Sequence, residues 1–308
     1  MSTLPLAAAA DGDDSGIWQQ IFNFDNYGDL LALVHNSLLA GALVGLVGGL
    51  AGVFVIMRDL PFAVHGISEL SFAGAAAALL AGVNIVAGSI VGSLLAAAAI
   101  GLLGVRARDR NSVIGIIMPF GLGLGVLCLA LYKGRAANKF GILTGQIVAV
   151  DTPQMAWLVG TSVVVMAALA VVWRPLTFAS ADPDVAEARG VPVRALSLAF
   201  MLVLGLAVAL CVQIVGALLV LALLVTPAAA AARVTASPVL LPVLSVVFAL
   251  VAMEGGILLA LGSSVPISPY VTTLAFLIYL GCRVVGSRRA ARASRAVQLP
   301  GHRPAARV

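Results

Sequence analysis

Long intervals of this chain contain no Asp, Glu, Lys or Arg, and nothing else in the sequence limits its fold as strongly. Such stretches cover residues 30 to 57, 111 to 132, 152 to 173, 234 to 253 and 255 to 282. A bilayer core takes about 20 apolar residues of helix, so each stretch meets or approaches one crossing. Two longer ones, 70 to 105 and 195 to 232, have room for two. Unpaired backbone amides are costly in hydrocarbon and the alternation of a lipid-facing barrel is missing, so the runs read as helices. The expected fold is all-α, a polytopic helical membrane protein of about eight or nine spans. The count turns on 195 to 232, where Gly216 and Pro227 also allow one span followed by a shorter, partly inserted helix.

Turn residues place the expected breaks at Arg58 to Pro61, Gly82 to Asn84, Arg106 to Ser112, Lys133 to Asp151, Arg174 to Arg194, Cys211 to Gln213, Arg233 to Pro238 and Gly262 to Pro269. Three parts follow: an acidic segment 1–29, a membrane domain 30–285 and a basic tail 286–308. With residue 1 outside the cell, alternate loops put every Lys and Arg except Lys133, Arg135 and Lys139 in the cytoplasm. That bias fits the positive-inside rule, so the N-terminus is expected outside and the C-terminus inside, in a multi-pass protein of the cell membrane. The first 29 residues carry Asp11, Asp13, Asp14, Asp25 and Asp29 and no cation, unlike the basic start of a signal peptide.

Composition excludes several classes of function. Of 308 residues 61% are hydrophobic and 10% charged, against about 25% charged in soluble domains. The net charge of +5 lies in loops and tail, where contact with anionic membrane lipid explains it without nucleic acid. Cys128, Cys211 and Cys282 are widely spaced and read as small buried hydrophobes rather than disulfide or CxxC partners. Neither Lys133 nor Lys139 follows a glycine, so no Walker A loop is present, and any nucleotide hydrolysis belongs to another subunit. The chain is not expected to be an enzyme or to hold a permanent cofactor.

Within "PFAVHGISELSFAG", residues 61 to 74, His65 and Glu69 stand four apart in an otherwise apolar or small stretch. On a helix they share one face. A carboxylate inside a span costs at least about 2.5 kcal/mol on insertion scales and normally marks a cavity, partner or relay. Glu69 lies about 13 Å along its helix, near mid-bilayer. Imidazole with carboxylate suits zinc, manganese, iron or nickel, although zinc wants about four ligands and the rest must come from other helices, a second copy or water. The alternative is that the two residues bond each other, Ser68, Ser71 or an arginine and only fix helix packing. Glu254 in "VAMEGGILLA" is a second candidate, lining an exit, paired with a cation or protonated. His35 in "LALVHNSLLAG" is a weaker one, placed for an interfacial bond to Asn36 or water.

The stretch "SLLAGALVGLVGGLAGVFVIMRDLPFAVHGISELSFAG" resembles the membrane permease subunits of metal-uptake ABC importers, the zinc and manganese type. Aligned on Ser71 to Gly74, that family's usual Asp falls on His65 and its usual His on Glu69, the same chemistry in swapped order. "NSVIGIIM" resembles the run after the family's cytoplasmic arginines, with Asn111 where an aspartate is common. "LTGQIVAVDTPQ" resembles its extended loop segment, with Gln146 replacing an acid, and Ser264 falls near a position often acidic. "DPDVAEARGVPVRAL" and "VGALLVLALLVTPAAAAARV" resemble its coupling segment and the small-residue segment after it. The resemblance covers nearly all of residues 33 to 285.

The coupling segment also has a local logic. Asp182, Asp184 and Glu187 precede Arg189, Pro183 suits a first helical turn, and Gly190 suits a stop. The resemblance implies a type II importer-like homodimer around a central path, with two cytoplasmic ATP-binding subunits docked on that segment. It also implies an extracytoplasmic binding protein that delivers a divalent ion, zinc or manganese, to His65 and Glu69. Binding by neutral imidazole predicts weaker uptake in acid. Two other readings remain at this point: a siderophore or cobalamin permease of the same superfamily, and a proton-coupled secondary carrier using Glu69 or Glu254.

Overall fold

The computed structural model describes residues 35–104, 107–134, 152–217, 219–261 and 266–297. The acidic segment 1–29, the loop 135–151 with Gln146, Ser264 and the end of the tail lie outside the described residues. Eleven helices are described: α1 His35–Met57, α2 Pro61–Ala81, α3 Ile85–Leu103, α4 Ala107–Leu131, α5 Thr152–Ala181, α6 Pro183–Ala188, α7 Val193–Val215, α8 Val220–Leu224, α9 Thr226–Val234, α10 Leu240–Leu261 and α11 Ile267–Val297. Eight of these, α1 to α5, α7, α10 and α11, are long and apolar enough to cross a membrane.

Local chemistry explains most helix ends. Leaving α1, Asp59 takes a left-handed φ of 53°, Leu60 N–H returns to the Val55 carbonyl at 2.9 Å, and Pro61 opens α2. The α2–α3 hairpin turns on Gly82, whose φ of 69° has no steric cost without a Cβ. Asn84 then caps α3 by accepting from Ala87 N–H at 3.1 Å.

Two expectations need correction. Residues 195–232 take the second of their two expected arrangements, one span followed by short helices, but the break expected at Cys211 to Gln213 falls inside α7. The helix ends at Gly216, at φ 83°, a conformation that bulkier residues rarely adopt. The span expected to end before Arg174 continues through Pro175 to Ala181. Beyond the proline, Thr177 and Ser180 hydroxyls donate back to the Trp173 and Leu176 carbonyls at 2.8 and 2.6 Å. As expected, Cys128 and Cys211 are buried free thiols.

Packing contacts set the directions of the helices. α1 runs antiparallel to α10, with Gly41 beside Met253 and Ile257 and Gly49 beside Val246. α2 is antiparallel to α3, where Gly74 meets Gly88 and Gly92, and parallel to α4, where Gly66 meets Ile114 and Gly125 meets Phe72. α7 lies antiparallel to α3 through Gly205 and Ala97. Phe54 joins α1 to α5 and α7, edge-on to Trp173 at 4.7 Å and Phe200 at 5.7 Å. From α8, Leu223 and Leu224 reach Gly48 of α1, and Arg233 at the end of α9 reaches the Tyr279 hydroxyl of α11 at 3.4 Å. Arg289 of α11 donates to the Val234 carbonyl at 3.1 Å.

These contacts gather Arg58, Arg110, Arg174, Arg189, Arg194, Arg233 and Arg289 at one end of the bundle. The α2–α3 hairpin, Lys133 and the start of α1 lie at the other. α8 and α9 return the chain from Gly216 to the arginine end as one interrupted passage.

Helices in lipid associate through close packing rather than through hiding apolar surface. At Gly49 a Cβ would lie 2.7 Å from Val246 Cα, on a backbone also held by the Ser245 hydroxyl donating to the Gly49 carbonyl at 2.7 Å. Gly49→Ala should therefore destabilise by about 1–3 kcal/mol, read as a lowered melting temperature of the detergent-solubilised protein. Gly160→Ala, where nothing lies within 4 Å, should be neutral or mildly stabilising.

Candidate metal passage site

α2 brings the expected pair together. His65 Nε2 and Glu69 Oε1 stand 3.8 Å apart, one turn along the helix. Glu69 is 5% exposed and His65 partly exposed. The separation exceeds a good hydrogen bond, so the two groups are neighbours rather than a closed pair. Two donor bonds of about 2.0–2.2 Å to one ion reach across such a gap, since their sum exceeds it. His65 Nδ1 is buried and has no hydrogen-bond partner. The Ser68 hydroxyl donates to the His65 carbonyl at 2.8 Å and stays within the helix. Ser71, the other serine considered as a packing partner, bonds the Ser89 hydroxyl of α3 at 2.7 Å. Neither serine engages the imidazole or the carboxylate.

The α2 backbone at Glu69 packs closely on α4. At Gly121 a Cβ would lie 3.0 Å from the Glu69 carbonyl carbon and 2.8 Å from Leu70 Cδ1. Gly125, four residues on, faces Phe72, while Gly123 between them meets nothing within 4 Å. Gly121 is a positioning residue that sequence reasoning passed over. The signal was present in "GLGLG", where two glycines at helical spacing form one contact face.

The other candidates lie apart from the pair. Glu254 sits on α10 against Gly41 of α1, with Oε1 buried and unpartnered. His35 begins α1 at the end opposite the arginines and is exposed. Among the described residues no group of three or more His, Cys, Asp or Glu forms, and His65 and Glu69 stand as a pair. The segment after α5 folds as expected. Asp182 Oδ1 accepts from Val185 N–H at 3.0 Å, α6 spans Pro183–Ala188, and Gly190 stops it at φ 83°. Ala186 is buried beneath α6, while Asp182, Asp184, Val185, Glu187 and Arg189 are exposed.

A bundle of eight membrane-length helices, with a buried donor pair in one of them and a short charged helix exposed beyond its end, defines a membrane transport subunit. The chain belongs to the ABC 3 transport family, whose model matches residues 31–286. It is 29% identical over 225 residues to the manganese transport system membrane protein MntC of Halalkalibacterium halodurans, covering 73% of this chain and 77% of that protein. It is 24% identical over 232 residues to the high-affinity zinc uptake system membrane protein ZnuB of Haemophilus influenzae, covering 75% and 89%. Among solved structures it is similar to PsaBC from Streptococcus pneumoniae in complex with Fab, with a TM-score of 0.75, 28% identity, and coverage of 83% of this chain and 94% of that one.

If Gly121 sets the position of Glu69, Gly121→Val should weaken binding of manganese or zinc to the solubilised full chain by about tenfold while Gly123→Val leaves it unchanged. Isothermal titration with each metal reads the difference.

Proposed function

We propose that this chain is the permease subunit of an ATP-driven importer that moves a divalent transition metal ion, zinc or manganese, into the cytoplasm. One observation carries the reading: a buried carboxylate and an imidazole 3.8 Å apart in mid-span, in a chain whose relatives bear the names of manganese and zinc systems. Those names favour a bare metal ion over a siderophore or cobalamin chelate, and an ABC subunit over a proton-coupled carrier.

Two donors per copy fit passage better than storage, because a site that holds its ion too tightly cannot release it. Two copies around a shared path bring four donors together, near the number zinc prefers. The arginine end faces the cytoplasm under the positive-inside rule. Segment 1–29 then lies outside, 30–285 forms the permease domain, and 286–308 is a cytoplasmic tail. An extracytoplasmic metal-binding protein delivers the ion to the opposite end. No Walker A sequence occurs in this chain, so ATP is hydrolysed in a separate subunit. Its docking point is α6, where Val185 offers an apolar contact ringed by Asp182, Asp184, Glu187 and Arg189. Glu254 and His35 hold lower rank as ligands, standing on other helices than the pair.

Uptake of radiolabelled manganese and zinc by the complex reconstituted in vesicles tests the whole reading. It should require ATP and fall about tenfold to a hundredfold in His65→Ala and Glu69→Gln. Uptake that runs on a proton gradient without ATP, or is unchanged in both variants, removes the proposal. Val185→Asp should abolish uptake and coupled ATP hydrolysis while leaving metal binding to the pair intact.

A further inference from the structure

At the arginine end two guanidinium groups stand in an unusual setting. Arg58 leaves α1 on the turn before the left-handed Asp59, and its guanidinium lies over the Phe200 ring, 5.7 Å from the centroid. Its Nη1 is buried and has no hydrogen-bond partner. Arg110 lies one turn into α4, close against Gly104, and its Nε is likewise buried and unpartnered. Burial, and then the charge of Arg110, holds the Arg58 guanidinium below the usual arginine range. Buried cations whose donors go unmet and which repel each other are expensive unless an anion joins them.

The surroundings indicate which anion. Phe62 at the start of α2 is 71% exposed, and Leu102 and Leu103 at the end of α3 are 60% and 64% exposed. Gly66, one turn beyond Phe62, packs on Ile114, one turn beyond Arg110, and Gly104 follows Leu103 directly. Phe62 follows Arg58 by four residues, and Leu102 and Leu103 precede Arg110 by eight and seven, all at the arginine end where apolar helix gives way to charge. Arg58 follows the 23-residue span His35–Met57, and Arg110 begins the span Arg110–Leu131. Both sit at headgroup depth, whereas α6 is the exposed element to which a protein partner reaches. A phosphodiester is an acceptor suited to guanidinium groups, and acyl chains suit exposed apolar residues such as Phe62, Leu102 and Leu103.

We infer that Arg58 and Arg110 form a binding site for the headgroup phosphate of one anionic phospholipid, which ties the α1–α2 turn to the start of α4. α2, with the His65 and Glu69 pair, begins at that turn. The site does not depend on the transport reading, because lipid binding is measured without metal or ATP.

The full chain in neutral detergent, titrated with phosphatidylglycerol and followed by native mass spectrometry, tests it. Wild type should retain one phosphatidylglycerol more tightly than phosphatidylcholine of the same chains. The double variant Arg58→Gln/Arg110→Gln should bind it roughly tenfold to thirtyfold more weakly, Arg58→Lys/Arg110→Lys should recover part of that loss, and Arg288→Gln, an exposed control, should match wild type. If the double variant does not fold, the wild-type melting temperature still decides: it should rise more with phosphatidylglycerol than with phosphatidylcholine. Equal effects of the two lipids overturn the site. So does displacement of the lipid by inorganic phosphate, which would mark a free-anion site. Release of the lipid when the ATP-binding subunit assembles, with assembly lost in the double variant, would assign the arginines to a protein carboxylate instead.

Discussion

Inside a bilayer, apolar side chains gain little by leaving lipid for protein, so the strength of this bundle depends on how near its backbones come to one another. Gly41, Gly45, Gly49 and Gly52 let α1 lie directly against α10 and the broken segment after α7. The same device holds α2 from two sides, through Gly74 with Gly88 and Gly92 of α3 and through Gly121 and Gly125 of α4. Small residues therefore do two tasks at once. They supply the contact that hydrophobicity cannot, and they hold the stretch of α2 backbone that carries Glu69.

The two intramembrane carboxylates show how environment separates residues of one type. Glu69 has an imidazole one turn below it and the helix of Gly121 behind it. Glu254 lies against Gly41 of α1, with one oxygen unpartnered. In the proposed reading an ion crossing the membrane needs donors that are ready yet incomplete, and the α2 pair is assigned that part ahead of Glu254.

The interrupted passage after Gly216 resolves a difficulty of counting. Among the described residues, eight full crossings alone would return the chain to the end at which α1 starts, yet α11 carries Arg289 to the end where Arg58 and Arg110 stand. α8 and α9 supply the missing return. Their irregular backbone is tolerated because it is shielded by protein, with Val220, Leu223 and Leu224 buried against neighbouring helices. The same end carries α6 and the buried arginines, where the proposed coupling and the inferred lipid contact both lie.

The sequence by itself determined the solvent, the helical class, most span positions, the pairing of His65 with Glu69 on one face, and the limits of α6 between Asp182 and Gly190. Each follows from local periodicity, from turn chemistry or from the cost of a charge in hydrocarbon, none of which needs a distant partner. Only the tertiary structure decided that α7 runs through Cys211 to Gly216, that α5 passes Pro175, that Gly121 places Glu69, that Glu254 stands apart, and that Arg58 shares its surroundings with Arg110. Those outcomes rest on which helix face meets which, and a glycine or an arginine looks the same in a sequence whatever lies across from it.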